Sequence, residues 1–546
     1  MNTSFKKGEI FSMGLIARSF GILLTLFSIQ ILVAQPVGDR PRLVVGIMVD
    51  GLQQQHLQQL WTRFNGSGFK RLAGSGASFR TLTSNTTSFG NAADITTLFT
   101  GTVPYYHGIT GDRVLTPTTS ELTSVFHDKS QAGIQSHLQL SARAMEATTW
   151  VDELMMAGRT RSKTYAVAIN AEDAIAMGGH AATGVAWLDE VHLRWGGTDY
   201  YSGGMPWQAA QMNTKGSVKE MANRNWQALF FPRTYLAALT DPTVKDFSYT
   251  PSDRQSAAGA ATILKTTPMA NSLIAELGAK ILIEQELGKD MHTDALLLQF
   301  TVRIPGSETS LLSSIAKEDI YLRLDNALQE LVQAAEKAVG ADHVLYVLYG
   351  SQSDTHSPAE LRKFNFHAGF YNSFRSMALL NSYLMALYGQ EKWVSNYYGR
   401  HIYLNRRLIE EKGHDFKKFQ QVVAEFVSEF EGVQNAWPLY QLLQLPVNPD
   451  TEMARLRNSV HRSTAGDVVI LLKPGWLETD DQNRPVGESG SLNTRFPVYL
   501  SGWKIIPQLI RDAHQVTDIA PTLTGLLQLP APNASIGNDI VIQLKE

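Results

Sequence analysis

Residues 42–50 read RLVVGIMVD, a nearly continuous apolar run that ends in the carboxylate of Asp50. Runs of this kind are typical of strands that are buried on both faces of a parallel sheet. Ligands bind such sheets at the carboxyl ends of the strands, so Asp50 is a candidate metal ligand. A helix cap or a turn residue is the ordinary alternative, and the position alone favours that alternative.

Four more apolar runs follow along the chain, and we interpret them as further strands. They lie at residues 164–169, 295–302, 343–349 and 467–472. Patterns with apolar residues at helical spacing lie between and after them. These helical patterns cover residues 92–100, 320–339 and 516–529. Strands that alternate with helices predict an α/β fold with a mostly parallel central sheet and helices on both of its faces.

Two stretches interrupt this alternation, near residues 190–290 and near residues 360–460. The first is rich in Trp, Gly, Pro and Tyr, and the second is helical and aromatic. We interpret both as insertions that form a cap over the ligand-binding edge of the sheet. The predicted organisation is a leader at residues 1–35 and one large domain at residues 36–546.

The predicted leader has the layout of a secretory signal peptide. Basic residues precede an apolar run at residues 21–33, and the small residue Ala34 follows that run. An uncleaved membrane anchor is the alternative, but this run is short for a span of about 20 residues. No later segment is apolar and long enough to cross a bilayer, so we expect no transmembrane span after cleavage of the signal peptide.

Composition limits the cellular compartment and the classes of partner that fit the protein. The 546 residues include no cysteine, so an exported chain has no disulfides, which fits a bacterial periplasm or outer envelope. The formal net charge is −3 and no basic run is present, which gives no electrostatic case for nucleic acid as a partner.

Several segments resemble the alkaline phosphatase superfamily, in particular its bacterial single-nucleophile alkaline phosphatase and type I phosphodiesterase–nucleotide pyrophosphatase branch. Beside RLVVGIMVDGL, they are FTGTVPYYHGITGD at 99–112, AMGGHAATGVAWLD at 176–189, IYLRLDNALQEL at 320–331 and VTDIAPTLTGLLQLPAPNASIGNDI at 516–540. They occur in the order of the family and run from about residue 42 to the C terminus. The resemblance implies the alkaline phosphatase fold.

The resemblance also implies a specific chemistry. Members of the family use two zinc ions, of which one activates a Thr or Ser nucleophile and the other stabilises the leaving oxygen. Carboxylates and imidazoles hold the ions, and basic or amide groups hold the phosphoryl oxygens. Asp50 stands where the family has its first metal-binding Asp.

The groups that attack and grip phosphate are replaced at the matching positions. The nucleophile position falls on Asn91, whose amide cannot form an alkoxide. The Asn that contacts phosphate is replaced by Asp112, which would place an anion against an anion. The Lys-x-Arg pair of similar family members falls on Asn170 and Glu172.

The remaining metal ligands are replaced as well. The Asp-x-x-x-His pair falls on Ile304 and Glu308, and the adjacent Asp-His pair falls on Ser351 and Gln352. The last His ligand falls on Arg495, which has no acceptor capacity. The sequence therefore predicts no catalytic residue at these positions and no zinc, with Asp50 as the one ligand if any metal binds.

We therefore expect an exported pseudophosphatase with a binding or scaffolding role, whose partner is an unidentified protein of the cell envelope. Without metals, Asp50 would lack a counter-charge. Arg303 and Arg495 stand beside or at former ligand positions, so we predict that a guanidinium pairs with Asp50. Two surface arginines are the alternative.

A metal-dependent phosphomonoesterase or phosphodiesterase with a rebuilt site is the second hypothesis. Its hydroxyl would come from Thr86, Thr87 or Ser88, and shifted ligands from Asp354 and His356. A third source of ligands is a set of acids that suits Ca²⁺ or Mg²⁺. That set comprises Asp50, Asp94, Asp112, Glu172, Asp173 and Glu308.

Two histidines lie in segments that match the family well, His107 and His180. Neither is a metal ligand in the family pattern. We predict that His107 fixes the loop after the nucleophile helix through backbone hydrogen bonds, and we assign neither histidine a catalytic role.

Overall fold

The strand β1 (Leu43–Asp50) lies inside a ten-stranded sheet, and all eight of its residues are buried. Its continuous apolar sequence follows from this position, because helices cover both faces of the sheet. The fold is taken from a computed structural model. The model describes residues 40–87, 90–116, 121–159, 161–240, 248–249, 257–303, 315–351, 358–444, 448, 451–482, 486 and 495–546.

The central sheet is mixed but mostly parallel. Its other strands in chain order are β2 (Ala77–Thr83), β3 (Gly133–Ile134), β4 (Thr164–Ala168), β5 (Gly184–Asp189), β6 (Arg194–Thr198), β7 (Asp294–Thr301), β8 (Val344–Gly350), β9 (Val498–Gly502) and β10 (Gln508–Gln515). Their spatial order is β10-β2-β9-β8-β1-β7-β4-β5-β6-β3. The run β8-β1-β7-β4-β5 is parallel throughout. The α/β fold class predicted from the sequence is confirmed.

Two helical layers cover the two faces of the sheet. The first layer packs on residues such as Val44 and Met48 of β1. It contains α1 (Asn91–Thr100), α2 (Ala171–Gly178) and the helices Trp150–Ala157 and Ile519–Leu526. The opposite layer packs on residues such as Val45 and Ile47. It contains α3 (Pro268–Glu284), α4 (Ile315–Val339) and the helices Gln54–Leu60, Phe69–Gly74, Trp207–Lys215, Ser217–Ala222, Leu236–Thr240 and Ala257–Lys265.

A smaller sheet with its own core lies within residues 358–482. Its four strands pair in the order Val394–Tyr398, His401–Leu404, Val468–Leu472 and Val433–Pro438, all antiparallel. The helices around it are Pro358–Lys363, Ser373–Tyr388, Arg406–Glu411, Phe416–Ser428, Leu439–Gln444 and Glu452–Ser459. The apolar run at 467–472 is therefore a strand, but it belongs to this antiparallel sheet. Its assignment to the central parallel sheet is wrong, because double burial gives the same apolar run in either sheet.

The two predicted insertions differ in their location. Helices within 190–290 contribute Met212, Leu273 and Leu277 to the core on one face of the central sheet. This stretch also supplies β6, which pairs with β5. It is a covering layer of the sheet, so the prediction of a cap is wrong for it. Residues of the second stretch, among them Tyr398 and Tyr403, line the cleft described below.

The predicted signal peptide lies outside the described residues. Residues Pro41–Glu546 form one compact unit. Within the described part of the chain, no helix combines the length and the hydropathy that a membrane crossing requires.

Candidate functional site

The carboxyl ends of three adjacent parallel strands bring the first site residues together. Asp50 closes β1, Arg303 lies just beyond β7, and Ser351 lies just beyond β8. Pairing aligns Asp50 with Thr301 and Val49 with Gly350, so the three side chains leave the sheet at the same level. The parallel register alone therefore accounts for their proximity.

The carboxylate of Asp50 is held by a guanidinium and a hydroxyl. The Nε of Arg303 donates to Asp50 Oδ1 over 2.8 Å, and the hydroxyl of Ser351 donates to the same oxygen over 2.8 Å. Ser351 in turn accepts from the backbone N–H of Gly51 over 3.3 Å. Asp50 is 8 % exposed, whereas the Arg303 side chain is 41 % exposed. The predicted pairing of Asp50 with an arginine is confirmed at Arg303.

The buried side-chain amide of Asn271 bonds to the backbone of Thr301, the last residue of β7. This amide accepts from the backbone N–H of Thr301 and donates to the carbonyl of the same residue. The amide of Asn271 thus takes the place of a neighbouring strand at Thr301. The N–H of Val302 still donates to the carbonyl of Asp50 over 2.9 Å, and Arg303 follows with its side chain directed at Asp50. The ammonium of Lys317 donates to the carbonyl of Val302 over 3.1 Å. Burial and the nearby Arg303 lower the pKa of Lys317 to about 8.

Asn91, which the sequence resemblance predicts at the nucleophile position, is the first residue of α1. The carboxylate of Asp112 accepts from the backbone N–H of Ala92 over 2.9 Å, so Asp112 satisfies a free donor of the helix N terminus. Gly90 has a φ of +150° and lies so close to Asp112 that a Cβ there would contact its carboxylate at 2.6 Å. Asp112 therefore acts in place of a side-chain cap for α1.

Several predicted acids lie close enough to interact. Burial, opposed by the hydrogen bond from Ala92 and aided by Glu172 and Asp50, raises the pKa of Asp112 to about 7. Burial, followed by Asp112 and Asp50, raises the pKa of Asp173 well above its ordinary value. Asn170 donates to Asp173 over 3.2 Å. Asp50, Asp112, Glu172 and Asp173 therefore lie near enough to affect one another's charge, and Arg303 interacts with Asp50 and Asp112.

A cleft of about 400 Å³ opens over this group. From the site it is lined by Gly90, Asn91, Asp112 and Arg303, and from the smaller sheet and its neighbours by Tyr398, Arg400, His401, Tyr403, Thr464 and Glu478. Arg400 and Glu478 are both buried, with 3.7 Å between Nε and Oε2. Sequence analysis missed this pair, because no motif links residues that are so far apart along the chain.

Other predicted positions are placed as follows. Ile304, Glu308, Gln352, Ser88, Asp354 and His356 lie outside the described residues. Arg495 forms an isolated antiparallel bridge with Thr83. Thr86 shares a hydrogen bond with the hydroxyl of Ser84, and the backbone of Thr87 donates to Ser459. Neither threonine lines the cleft.

The side chains around Asp50 do not fit the zinc pair of the family. Zinc sites in proteins are built from imidazole, thiolate and carboxylate ligands. Here Oδ1 of Asp50 is already bonded to Arg303 and Ser351. Within the described residues, no group of three His, Asp or Glu ligand atoms converges at Asp50.

His107 connects α1 to the loop that follows. Its Nδ1 accepts from the backbone N–H of Ile109 over 3.1 Å, so its Nε2 carries the proton and donates to Thr97. Its carbonyl accepts from the N–H of Glu146 over 3.0 Å. The predicted role of His107 in fixing this loop is confirmed. The backbone N–H of His180 donates to Asp152, an equally structural contact.

The fold and the site define an α/β protein with the architecture of the alkaline phosphatases. The chain belongs to the type I phosphodiesterase / nucleotide pyrophosphatase family, whose model matches residues 44–495.

Relatives agree with this assignment. The chain is 26 % identical to the alkaline phosphatase PhoV of Synechococcus elongatus over 519 residues, which cover 93 % of each protein. It is 24 % identical to the alkaline phosphatase PafA of Elizabethkingia meningoseptica, covering 92 % of this chain and 94 % of that protein. The crystal structure of wild-type PafA superposes with a TM-score of 0.82 at 22 % identity, over 92 % of this chain and 98 % of the other. The predicted family resemblance is confirmed.

We predict that Asp50 and Arg303 are energetically coupled. A double-mutant cycle with Asp50→Asn and Arg303→Met should give a coupling free energy of about 1 kcal/mol, since the arginine is partly exposed to solvent. The measurement is urea unfolding of all four proteins. Arg113→Met is the matched control, because Arg113 lines the same cleft but donates to the carbonyl of Leu122. Additive effects of Asp50→Asn and Arg303→Met on the free energy of unfolding would show that the two residues are not coupled.

We predict that His107 contributes to acid sensitivity. Burial, with a smaller effect of His461, lowers the pKa of His107 to about 3, below the ordinary value of 6.5. The unfolded chain therefore binds the proton first, and stability falls as the pH drops from about 6.5 towards 3. Between pH 7 and pH 5 this histidine should cost about 2 kcal/mol of unfolding free energy.

The variant His107→Gln should lose that share of the pH dependence and keep the rest, which includes the contribution of buried His401. Urea unfolding at pH 7 and pH 5 measures the difference. An equal loss in wild type and variant would show that His107 is not protonated on unfolding in this range.

Proposed function

We propose that the protein is an exported, catalytically inactive pseudophosphatase with a binding or scaffolding role in the cell envelope. The observation that carries this proposal is the engagement of Asp50 by Arg303 and Ser351, both at 2.8 Å. An arginine keeps its charge at any physiological pH, so its bond to the carboxylate is not lost by deprotonation. It also offers no lone pair to a metal ion. The carboxylate that a family metal would need thus has another counter-ion.

The nucleophile position adds independent support. Asn91 begins α1 and lines the cleft, but a neutral amide has no proton whose loss gives a nucleophilic oxygen at neutral pH. The hydroxyls of Thr86 and Ser84 bond to each other.

The electrostatics of the site oppose a phosphate group in the pose that the family uses. Asp112 and Glu172 occupy positions that contact phosphate in the family, and both are acids that interact with each other. A phosphate dianion placed against them would be repelled by each carboxylate that is ionised and would raise the pKa of Asp112 further, because charges of like sign cost free energy in a poorly solvated site. Arg303 supplies one positive charge, which Asp50 already uses.

The binding role rests on the cleft itself. It remains open at about 400 Å³ and combines aromatic and charged walls, with Tyr398 and Tyr403 beside Arg400. Aromatic and arginine side chains are the ones that dominate recognition sites. A protein partner in the envelope is the occupant we favour.

Export is part of this proposal. It rests on the signal-peptide pattern of residues 1–35 and on the absence of cysteine from the whole sequence.

An active enzyme with a rebuilt site is the alternative. The proximity of Asp50, Asp112, Glu172 and Asp173 favours it, since Ca²⁺ and Mg²⁺ prefer several carboxylate oxygens. The pairing of Asp50 with Arg303 argues against it. Assays with each cation separate the two hypotheses.

We expect no turnover of phosphomonoesters or phosphodiesters by the chain from residue 36 onward. Release of p-nitrophenol would be followed with Zn²⁺, Ca²⁺ or Mg²⁺ added, and with the alkaline phosphatase PafA as a positive control. Wild type and Asp50→Asn should give the same background rate, because Asp50 holds no metal. Cation-dependent turnover that Asp50→Asn abolishes would overturn the pseudophosphatase proposal.

We also expect that Asn91→Thr does not create activity. A threonine restores the hydroxyl, but the residues that hold phosphate and the metal ions in the family remain replaced. No group would therefore activate the hydroxyl. Formation of a phosphorylated enzyme with zinc, measured by mass spectrometry, is the sensitive readout. Phosphorylation of the variant at residue 91 would show that the metal centre is still functional and that the nucleophile alone was lost. Asn91→Ser serves as a second variant, and Asn91→Val controls for changes in shape.

A further inference from the structure

Two histidines and one aspartate converge at a second place on the sheet. The ligand atoms of His137, Asp189 and His192 all lie within 4.8 Å of one another. Within the described residues, they form the one group of three or more His, Asp or Glu side chains that meets this criterion. They are not part of the Asp50 site, and none of them occupies a position that the family resemblance assigns to a metal.

The topology explains how these residues meet. Asp189 is the last residue of β5, and His192 lies in the turn that leads to β6. The third residue, His137, follows β3, which pairs antiparallel with β6 and so returns the chain to that turn. Backbone hydrogen bonds thus determine the approach of all three side chains.

The carboxylate of Asp189 is buried and rigidly oriented. It accepts from the hydroxyl of Ser136 over 2.8 Å and from the backbone N–H of His192 over 2.9 Å. A longer bond of 3.3 Å comes from the backbone N–H of His137. Ser136 itself accepts from the indole N–H of Trp187 over 3.3 Å. These partners form an outer shell that would hold the carboxylate in place for a bound ion.

Both imidazoles direct Nδ1 at this carboxylate. The distance from His137 Nδ1 to Asp189 Oδ2 is 3.0 Å, and the distance from His192 Nδ1 to Oδ1 is also 3.0 Å. A bare imidazole nitrogen and a carboxylate oxygen repel each other at that separation, because both present lone pairs. A hydrogen atom or a metal ion must therefore lie in each contact. Either each Nδ1 carries a hydrogen that it donates to the carboxylate, or one metal cation lies between all three residues.

We propose that His137, Asp189 and His192 bind one divalent transition-metal ion, with zinc as the expected ion. Zinc binds imidazole nitrogen and carboxylate oxygen at about 2.0–2.2 Å, so its ligands lie about 3–3.5 Å apart. The two nitrogen–oxygen separations of 3.0 Å are close to that range, and the two nitrogens lie within 4.8 Å of each other. Two nitrogens and one oxygen suit Zn²⁺, Cu²⁺ or Ni²⁺ and do not suit Ca²⁺ or Mg²⁺. A fourth position can face solvent, since the histidine side chains are 37 % and 46 % exposed.

The site differs from the Asp50 site in its counter-charge. Arg303 already compensates Asp50. Asp189 has the imidazoles of His137 and His192 as its neighbours, and imidazole nitrogen is a common metal ligand. The proposal is independent of the proposed pseudophosphatase function, and it assigns the metal no part in turnover.

The test is titration of metal-free protein, residues 36–546, with ZnCl₂ by isothermal calorimetry. We expect one zinc ion per chain. His137→Ala and His192→Ala should each weaken binding by at least about tenfold, which is the loss that even an outer-shell change produces. His127→Ala is the matched control, because His127 is exposed and lies outside the group, and it should leave the affinity unchanged.

Two further measurements keep the outcome unambiguous. Zinc should raise the melting temperature of wild type and of Asp50→Asn, but not that of His192→Ala. Equal melting temperatures of wild type and His192→Ala in EDTA would establish that the variant is folded. Co²⁺ substitution should give visible absorption bands that His192→Ala lacks. Absence of zinc binding by wild type would overturn the proposal, and so would binding that Asp50→Asn abolishes and His192→Ala retains.

Discussion

The parallel pairing of β8, β1 and β7 is the constraint on which the site depends. Parallel neighbours end at the same edge of a sheet, so the residues after Val49, Gly350 and Thr301 meet there whatever their identity. The pairing is maintained by double burial, since every residue of β1 and β7 is buried. Side chains at the edge can therefore vary without loss of the scaffold, which fits a fold shared with PafA at 22 % identity.

Charge balance is the second constraint at this edge. A carboxylate with little solvent contact needs a counter-charge, and a family member would supply it as metal. In this chain Arg303 supplies it at 2.8 Å from Asp50. Retention of Asp50 therefore carries no evidence of metal binding, because an arginine and a hydroxyl satisfy the same side chain. Burial, together with repulsion from Glu172 and Asp50, accounts for the raised pKa of the nearby Asp112.

Double burial made several of the central strands predictable from the sequence. β1, β4, β7 and β8 are continuous apolar runs because both of their faces are covered, and each was predicted within one residue of its observed bounds. By contrast, β10 lies at the edge of the sheet with several exposed residues and has no such pattern. Within the site, Asp50 ends a predicted strand and Arg303 follows another, whereas Arg400 and Glu478 come from different elements of residues 358–482. Contacts of that kind depend on tertiary packing, which no local pattern encodes.

The Asp50 site and the group of His137, Asp189 and His192 lie at the same edge of the sheet. Asp189 ends β5 as Asp50 ends β1, and both strands belong to the parallel run, so both carboxylates emerge at one edge of the sheet. The two carboxylates differ in the side chains that lie beside them. Arg303 is a cation that donates to Asp50, whereas Asp189 is faced by the Nδ1 atoms of His137 and His192, which are of the kind that bind metals. One sheet edge thus presents a carboxylate that an arginine already compensates and another that lies between two imidazoles, the arrangement on which the proposed metal site rests.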